Sequence, residues 1–416
     1  MKQKVLDKFI RYIKIDTQSD DYSKTYPSTS KQFDLAKLLM NELKELGLND
    51  ASVDDNCYVT ATLSSNLPET NSDSIPVVGF IAHMDTATNL PGKVTNPQII
   101  SNYQGGNIAL PNCTDAMISI EDNPYLNNCI GDTIITADGT TLLGADDKAG
   151  IAAIITMAEY LINNPDIKHG TIKIAFTPDE EVGQGVKYFD IKKFGADFAY
   201  TIDGGMPGMI NKETFSADSA TIDLYGKDIH PGKAKGKMIN SAVAMADLIN
   251  KLPKNMTPET TENYEPYIHV HTSNGTVTKS TIELLLRDFK TRGLTKLKNI
   301  IEKAIEETKE EYEGLKIDLK VEESYRNMAE YLADKPEILD YLWKAAEKSG
   351  ITPEWEPIRG GTDGSKLSEM GLPTPNIYTG GNNCHSKTEW LSLNALEKTV
   401  WTIINLVQII ADNKST

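Results

Sequence analysis

The spacing of apolar residues along the chain predicts alternating helices and strands. Apolar positions recur at helical spacing around residues 9–13 and 33–46. Residues 75–82 and 171–176 are short apolar runs, which are typical of buried strands. Between these runs, residues 149–161 are apolar on nearly all sides, as in a helix packed against a sheet. This alternation predicts an α/β layer.

The pattern changes along the rest of the chain. Residues 86–140 are rich in Asn, Gly, Thr and Pro, and we interpret them as long connections with short strands. Residues 214–323 show a compact α+β pattern that includes one heavily charged helix, and the α/β pattern then returns. We therefore expect an α/β fold in which residues 1–213 and 324–416 form one domain and 214–323 form a smaller inserted domain.

The length, charge and cysteine content of the chain argue against several classes of protein. A chain of 416 residues exceeds what one hydrophobic core normally organises. The net charge of −17 repels phosphates, which argues against nucleic acid or an anionic membrane as a partner. The four cysteines lack C-x-x-C spacing, which indicates free thiols in a reducing compartment. There is neither a signal-peptide pattern nor an apolar run of about twenty residues, so we expect a cytoplasmic protein.

Residues that bind metals follow the predicted strands and turns. His83 and Asp85 are two apart at a strand end, so both project to one side, although for this tripeptide alone a polar strand end with a capping Asp is the favoured interpretation. Asp146 lies at the turn before the apolar helix, where a carboxylate with small neighbours could bridge two cations. A helix N-cap is the alternative at this position.

Further acidic groups and one histidine continue this series. Glu180 and Glu181 follow the second strand, in a turn that is either solvated or neutralised by a cation. Asp203 ends another apolar run, and His385 lies in a glycine-rich loop ahead of a helix. Sites form at the carboxyl ends of strands in open α/β sheets, so the recurrence of ligand-type residues there favours a metal centre.

Four segments together resemble the peptidase T family, the tripeptide aminopeptidases among the co-catalytic zinc peptidases. That family is related to carboxypeptidase G and succinyl-diaminopimelate desuccinylase. The similarity covers essentially the whole chain and is most specific in Thr140–Gly150, Thr177–Gly183, Asp203–Gly205 and His230–Gly236. The resemblance implies a mixed-sheet catalytic domain with an inserted lid and dimerisation domain, two Zn²⁺ or other divalent transition ions per subunit, and a homodimer.

The resemblance also implies a ligand set. His83, Asp146 and Asp203 would hold one zinc ion, and Asp146, Glu181 and His385 would hold the other, with Asp146 as the bridge. The ligand-type residues that follow the strands would thus meet around one pair of cations.

Other residues receive roles that do not involve metal ligation. Asp85 would orient His83. Glu180 would act as the general base on the bridging water. His230 in the inserted domain would help to stabilise the tetrahedral oxyanion, although a surface histidine in a turn is the alternative. The peptide bond between Asp146 and Asp147 is expected to be cis.

Substrate contacts are expected from two arginines and two asparagines. Arg287 and Arg359 match positions associated with the carboxylate end of the substrate, for which bidentate guanidinium geometry is suited. A structural ion pair competes with this reading for Arg287, which precedes Asp288. Asn382 and Asn383 precede His385 and are further candidates.

These implications predict a tripeptide aminopeptidase that releases the N-terminal residue by activating water at two zinc ions. Pocket shape rather than ligand set separates such enzymes from dipeptidases and N-acyl amino acid deacylases, so both remain alternatives. A catalytically silent peptide-binding protein is a third alternative. All the expected ligands and Glu180 are present in the chain, which disfavours it.

Overall fold

The computed structural model describes residues 1–68 and 75–413. It divides into two compact units. The first comprises Met1–Lys212, Tyr331–Glu356 and Thr362–Thr416, and the second comprises Glu213–Glu330 with Pro357–Gly361.

A six-stranded sheet forms the centre of the first unit, with strand order β1-β2-β8-β3-β9-β16. The strands β8, β3, β9 and β16 run parallel, whereas β1 and β2 form an antiparallel edge. Every residue of β3 is buried, as the continuous apolar run predicted. The strands are β1 Ser52–Val53, β2 Val59–Leu63, β3 Val78–His83, β8 Ile172–Thr177, β9 Phe198–Gly204 and β16 Asn376–Tyr378.

Helices cover this sheet. Helix Ala145–Asn163 contacts β3 and β9 and is buried on nearly all sides, which explains its uniformly apolar sequence. Gly47, with φ of +98°, follows the second helix in the left-handed conformation that a C-terminal glycine supplies. The helices of the first unit are Lys2–Tyr12, Gln32–Glu45, Ala145–Asn163, Ile191–Phe194, Pro336–Lys348, Asp363–Glu369 and Leu393–Asp412.

Smaller sheets complete the first unit. A four-stranded sheet has the order β17-β18-β7-β4, and β5 with β6 forms a separate antiparallel pair. Tyr103, Leu126 and Trp390 are buried in the apolar cluster of this region. Residues 86–140 therefore hold long connections and short strands, as predicted. The strands are β4 Gln98–Ile100, β5 Ile108–Leu110, β6 Cys113–Ile118, β7 Ile134–Thr136, β10 Met209–Ile210, β15 Glu354–Trp355, β17 Gly381–Asn382 and β18 Trp390–Ser392, with a 3₁₀ turn at Pro124–Cys129.

The second unit is an antiparallel sheet of order β12-β13-β11-β14, with two helices packed on it. Burial along β13 largely alternates, as expected for a sheet with one covered face. The α/β fold class with a smaller α+β part is thus confirmed. The elements are β11 Ser216–Tyr225, helix Ser241–Lys251, β12 Tyr267–Gly275, β13 Lys279–Asp288, helix Thr291–Glu311 and β14 Lys316–Tyr325, with 3₁₀ turns at Pro231–Lys233 and Pro258–Thr260. A short helix, Ala329–Leu332, begins in this unit and ends in the first.

Two further expectations can be compared with the structure. The cysteines Cys57, Cys113, Cys129 and Cys384 are all free, as their spacing indicated. Across the two described ranges, none of the helices combines the length and the apolar character that crossing a lipid bilayer requires.

Candidate metal centre and active site

Three parallel strands bring the candidate ligands together. The strands β8, β3 and β9 are neighbours in the sheet, so their carboxyl ends lie side by side. His83 is the last residue of β3, the turn with Glu180 and Glu181 follows β8, and Asp203 lies at the end of β9. The parallel arrangement thus gathers residues that are far apart in sequence.

Asp146 lies between two imidazole rings. Its Oδ1 is 2.8 Å from His83 Nε2, and its Oδ2 is 3.2 Å from His385 Nε2. His385 Nε2 is also 2.9 Å from Glu181 Oε2, and His83 Nε2 is 3.7 Å from Asp203 Oδ1. Each carboxylate oxygen of Asp146 therefore faces a different histidine, which is the arrangement that a bridging ligand needs.

Two overlapping groups have ligand atoms within 4.8 Å of one another: His83 with Asp146 and Glu181, and His83 with Asp147 and Asp203. The donor set of imidazole nitrogens and carboxylate oxygens suits zinc and related divalent ions. Glu181 Oε1 is buried without a hydrogen-bond partner, and a cation would satisfy it. The residues therefore fit a metal centre.

Asp147 was not assigned a ligand role from the sequence. Its Oδ1 accepts the Gly150 N–H at 3.1 Å and its Oδ2 accepts the His83 N–H at 3.2 Å. Asp147 thus makes the helix-capping contact that was the alternative for Asp146, and Asp146 is left to face the histidines. The Asp146–Asp147 peptide bond is cis, as expected. Two adjacent aspartates alone do not indicate which one caps the helix.

Asp85 links His83 to the acidic turn. The fully buried Asp85 carboxylate accepts the backbone N–H groups of Glu180 and Glu181, at 3.0 and 3.1 Å, and the Ser19 hydroxyl at 2.9 Å. His83 Nδ1 lies 3.1 Å from the Asp85 backbone carbonyl oxygen and 3.3 Å from Asp85 Oδ1. Asp85 thus contacts both the His83 imidazole and the backbone that carries Glu180 and Glu181.

Burial excludes a solvated acidic turn. Asp179 is only 1% exposed and accepts hydrogen bonds from the Ser28 N–H at 2.6 Å and the Gln32 amide at 2.7 Å. The Glu181 side chain is 5% exposed. The negative charges of this turn are therefore held away from bulk water, where their repulsion is poorly screened.

Crowded acidic groups determine the electrostatics of the site. Burial, with the charge of Asp146, raises the pKa of Glu181 to about 7. Burial also raises the pKa of Asp203 well above its usual value. Hydrogen bonds to Asp146 and Glu181 raise the pKa of His385 to about 11. The metal-free cluster thus retains protons that a divalent cation would replace.

Glu180 lies in the same turn as Glu181. Burial raises the pKa of Glu180 well above its usual value, and the nearby Asp203 and Asp363 carboxylates add to the shift, while His83 opposes it. A raised pKa increases the affinity of the Glu180 carboxylate for a proton, which is a property that a general base needs.

Asp363 was also missed from the sequence. It is 4% exposed and accepts the Thr177 hydroxyl at 2.7 Å, at the end of β8. In the sequence it follows a Gly-Gly-Thr segment and resembles an ordinary helix start. The sequence pattern therefore did not predict its contact with Thr177.

The loop before His385 holds both candidate asparagines. The Asn382 amide donates to the Gly380 carbonyl at 3.2 Å, and the Asn383 amide donates to the Thr388 carbonyl at 3.2 Å. Asn383 and His385 both have positive φ, of +52° and +64°. The two asparagine side chains therefore stabilise the turn that presents His385.

The remaining candidates lie in the second unit. His230 is exposed, and its Nδ1 accepts the Gly232 N–H at 3.1 Å. Arg287 donates to the carbonyls of Asp218 and Leu286, at 3.3 and 3.0 Å. The side chains of His230 and Arg287 thus both form hydrogen bonds with backbone groups of the second unit.

Arg359 has a more extensive set of contacts. It donates to the carbonyls of Asn263 and Glu265, at 2.8 and 2.9 Å, and to the Thr261 hydroxyl at 2.8 Å. Its guanidinium carbon lies 5.0 Å from the centre of the Phe215 ring. These contacts connect Arg359 to the loop of the second unit that contains Thr261, Asn263 and Glu265.

Comparisons with known proteins identify the family of this chain. The model of peptidase family M20/M25/M40 matches residues 137–408. Peptidase T of Caldanaerobacter subterraneus subsp. tengcongensis is 48% identical over 406 residues, and peptidase T of Bacillus subtilis is 47% identical over 408 residues, each alignment covering 98% of both chains. The chain therefore belongs to peptidase family M20/M25/M40 and is a metallopeptidase. Within that family its place is with the peptidase T proteins, so the predicted resemblance is confirmed.

Solved structures share the fold. The aminopeptidase PepT of Bacillus cereus aligns with a TM-score of 0.76 at 22% identity, over 99% of both chains. A dinuclear metal-binding peptidase of the M20 family from Bacillus subtilis aligns with a TM-score of 0.66 at 14% identity, over 99% of this chain and 98% of that one. At these identities the similarity shows the fold alone.

Proposed function

We propose that this protein is a tripeptide aminopeptidase that releases the N-terminal residue of its substrate. Relatives called peptidase T that are 45 to 48% identical along nearly the whole chain support this activity. The observation that carries the chemistry is the position of Asp146, whose two oxygens each face a different histidine. That arrangement favours a hydrolase with two metal ions.

The ligand sets that we propose are His83, Asp146 and Asp203 for one zinc ion and Asp146, Glu181 and His385 for the other. The interatomic distances of 2.8 to 3.7 Å among these residues support them. When bound, two divalent ions polarise the scissile carbonyl and lower the pKa of water. Zinc is the ion that the family resemblance implies, although the donor set also suits other divalent transition ions.

Glu180 and Asp85, which are not proposed metal ligands, have the roles of proton transfer and positioning. Glu180 takes the proton of the attacking water and later delivers it to the leaving amine. Asp85 keeps the His83 ring oriented and fixes the backbone of Glu180, as its contacts with both residues support. This division places proton transfer on a residue of a turn that Asp85 anchors.

The second unit has a proposed supporting role. The His230-Pro-Gly motif supports oxyanion stabilisation by His230, and the family resemblance supports a lid and dimerisation role for residues 214–323 and a homodimer. Arg287, Asn382 and Asn383 remain candidates for binding the substrate. The contacts of Arg359 argue for a structural role in addition to any such contact.

The cellular location is also proposed. The four free cysteines favour a reducing compartment, and we propose the cytoplasm. Small peptides are the proposed partners, and the net charge of −17 argues against nucleic acid and anionic membranes.

A series of substrates tests the proposal. The zinc-loaded protein is assayed with a tripeptide, the dipeptide that lacks its C-terminal residue, and the N-acetylated tripeptide. We expect turnover of the free tripeptide, at least about tenfold lower kcat/KM for the dipeptide, and little turnover of the acetylated form, because a blocked amine loses the interactions that position the substrate. Faster turnover of the dipeptide or the acetylated peptide would identify a dipeptidase or deacylase, and chelator-resistant turnover would exclude the metal mechanism.

A further inference from the structure

Glu389 is a buried carboxylate outside the predicted site. It is 1% exposed, and its oxygens accept four consecutive backbone N–H groups. Oε2 accepts those of Leu143 and Gly144, at 2.7 and 2.9 Å, and Oε1 accepts those of Ala145 and Asp146, at 2.7 and 3.2 Å. The last of these amides belongs to the proposed bridging ligand.

The segment held by Glu389 cannot hold its own shape through helical hydrogen bonds. The amides at the start of a helix have no partner within that helix. Gly144 has φ of +76°. Asp146 and Asp147 lie within the bounds of helix Ala145–Asn163, but their backbone angles are not helical. Glu389 supplies the acceptors that this irregular segment lacks, so the position of Asp146 depends on a residue 243 positions away in the sequence.

Glu389 is itself attached to a rigid element. It directly precedes strand β18, which pairs with β17 on one side and β7 on the other. It also follows His385 by four residues, and the Glu389 N–H donates to the Ser386 carbonyl at 3.2 Å. The sheet therefore fixes Glu389, and the chain between Glu389 and His385 is short. The segment from His385 to Glu389 thus carries one proposed ligand, His385, and the residue that binds the backbone of another, Asp146.

We propose that Glu389 is a positioning residue that sets the distance between Asp146 and His385. It touches neither the proposed metals nor the substrate. It holds the Asp146 backbone so that one oxygen faces His83 and the other faces His385. The inference rests on the proposed metal centre. If Glu389 were only a structural cap, its loss would lower stability without a specific effect on metal binding.

Glu389→Gln is the variant that tests this inference, because it preserves size but replaces one acceptor oxygen with a donor. The metal-free protein is titrated with Zn²⁺ against a competing chelator, which gives stoichiometry and affinity. We expect one zinc ion to bind about 10- to 100-fold more weakly, the range typical for residues that support metal ligands. At saturating zinc we expect activity to recover towards the wild-type value, because Glu180 is unchanged.

Asp132→Asn is the matched control. Asp132 is 2% exposed and accepts the N–H groups of Thr133 and Asn394, at 2.6 and 3.1 Å, and the Ser392 hydroxyl at 2.5 Å. It is thus a buried carboxylate with several donors, next to the same strand. We expect this variant to lower the melting temperature of the metal-free protein while changing zinc affinity by less than about threefold, as for a residue remote from the ligands.

The zinc affinities of the two variants decide whether Glu389 is a positioning residue. Wild-type zinc affinity in Glu389→Gln, whatever its melting temperature, would overturn the positioning role, and so would equal losses of affinity in Glu389→Gln and Asp132→Asn. If Glu389→Gln does not fold, Glu389→Asp decides by the same measure, since its shorter side chain cannot reach all four amides. A wild-type protein that binds no zinc would instead remove the proposed function on which the inference rests.

Discussion

The two large sheets of this molecule use polar side chains in different ways. In the six-stranded sheet, β3 is buried along its whole length, and the candidate ligands that the strands themselves carry, His83 and Asp203, lie at strand ends. In the four-stranded sheet of the second unit, burial changes from residue to residue along β12 and β13, and polar groups occur throughout. The first sheet therefore concentrates its chemistry at one edge, and the second distributes polar groups over a surface.

This difference affects how the candidate residues are satisfied. At the edge of the first sheet, His83, Asp146 and His385 face one another, and Glu181 has a buried oxygen without a partner. In the second unit, Arg287 and Arg359 each donate to carbonyl groups of their own neighbourhood. The candidate metal centre thus contains a buried polar atom without a partner, whereas both arginines already have hydrogen-bond partners in their own unit.

The largest expected effect comes from removing the proposed base. Glu180→Gln should lower kcat by about 10²- to 10⁴-fold, because proton transfer by a positioned carboxylate contributes this much. Metal content should not change, since Glu180 is not a proposed ligand. Turnover and zinc stoichiometry are measured on the same preparation.

His385→Ala serves as the comparison for that experiment, and it should lose zinc as well as activity. A Glu180→Gln variant with wild-type kcat would contradict the proposed mechanism. A loss of zinc from Glu180→Gln would instead make Glu180 a ligand and would change the assignment of the turn.

The second prediction concerns zinc and the stability of each unit. Zinc at about 100 times its dissociation constant should stabilise the metal-free first unit by about 2.7 kcal/mol for each ion bound, through mass action. Hydrogen exchange should show the protection at the turns that carry Asp146 and Glu181 and not along β11 to β14. Mg²⁺ at the same concentration is the control, because it prefers an all-oxygen shell. Equal protection of both units would contradict the confinement of the metal site to the first sheet.

Much of the fold could be predicted because the first sheet has a simple pattern. Strands buried on both faces appear as continuous apolar runs, so β3 and β8 were located within a few residues of their bounds. The ligand types at their ends could be recognised for the same reason, since a charged residue stands out after an apolar run. Family motifs then supplied the roles.

Contacts between distant segments could not be predicted. Glu389 follows a Ser-Lys-Thr segment and has the appearance of a charged loop residue, yet it accepts amides 243 to 246 positions away. Arg359 precedes a Gly-Gly pair, which suggests an exposed turn, whereas it binds the loop around Asn263 and Glu265. Spacing along the chain carries no information on such partners, because tertiary folding determines them.

The third prediction tests whether Arg359 is structural. Arg359→Ala should lower the free energy of unfolding by about 1–3 kcal/mol, since it removes hydrogen bonds to two carbonyl groups and leaves those acceptors without their donor. Arg359→Lys should restore little of the lost stability, because a single ammonium group cannot reproduce the planar, forked geometry of the guanidinium donors. Arg292→Ala is the control in the same unit, because Arg292 is exposed, and it should leave the stability nearly unchanged. Unchanged stability with a raised KM in Arg359→Ala would instead support a direct substrate contact.

The smallest expected effect concerns His169, which lies away from the metal centre. His169 is 2% exposed, and burial lowers its pKa below the ordinary value of 6.5. Below pH 6.5 the unfolded chain therefore binds a proton that the folded protein resists, so the stability falls as the pH drops through this window. His169→Gln should remove this part of the pH dependence of stability between pH 7 and 5.

Urea unfolding at several pH values measures this effect, with replacement of the exposed His271 as the control. An identical pH dependence in wild type and His169→Gln would mean that the carboxylates of the first unit dominate acid unfolding. The buried histidine would then contribute nothing measurable. A difference confined to His169→Gln would show that burial, together with the nearby Lys168 charge, makes this histidine contribute to the pH dependence of stability without any metal or catalytic partner.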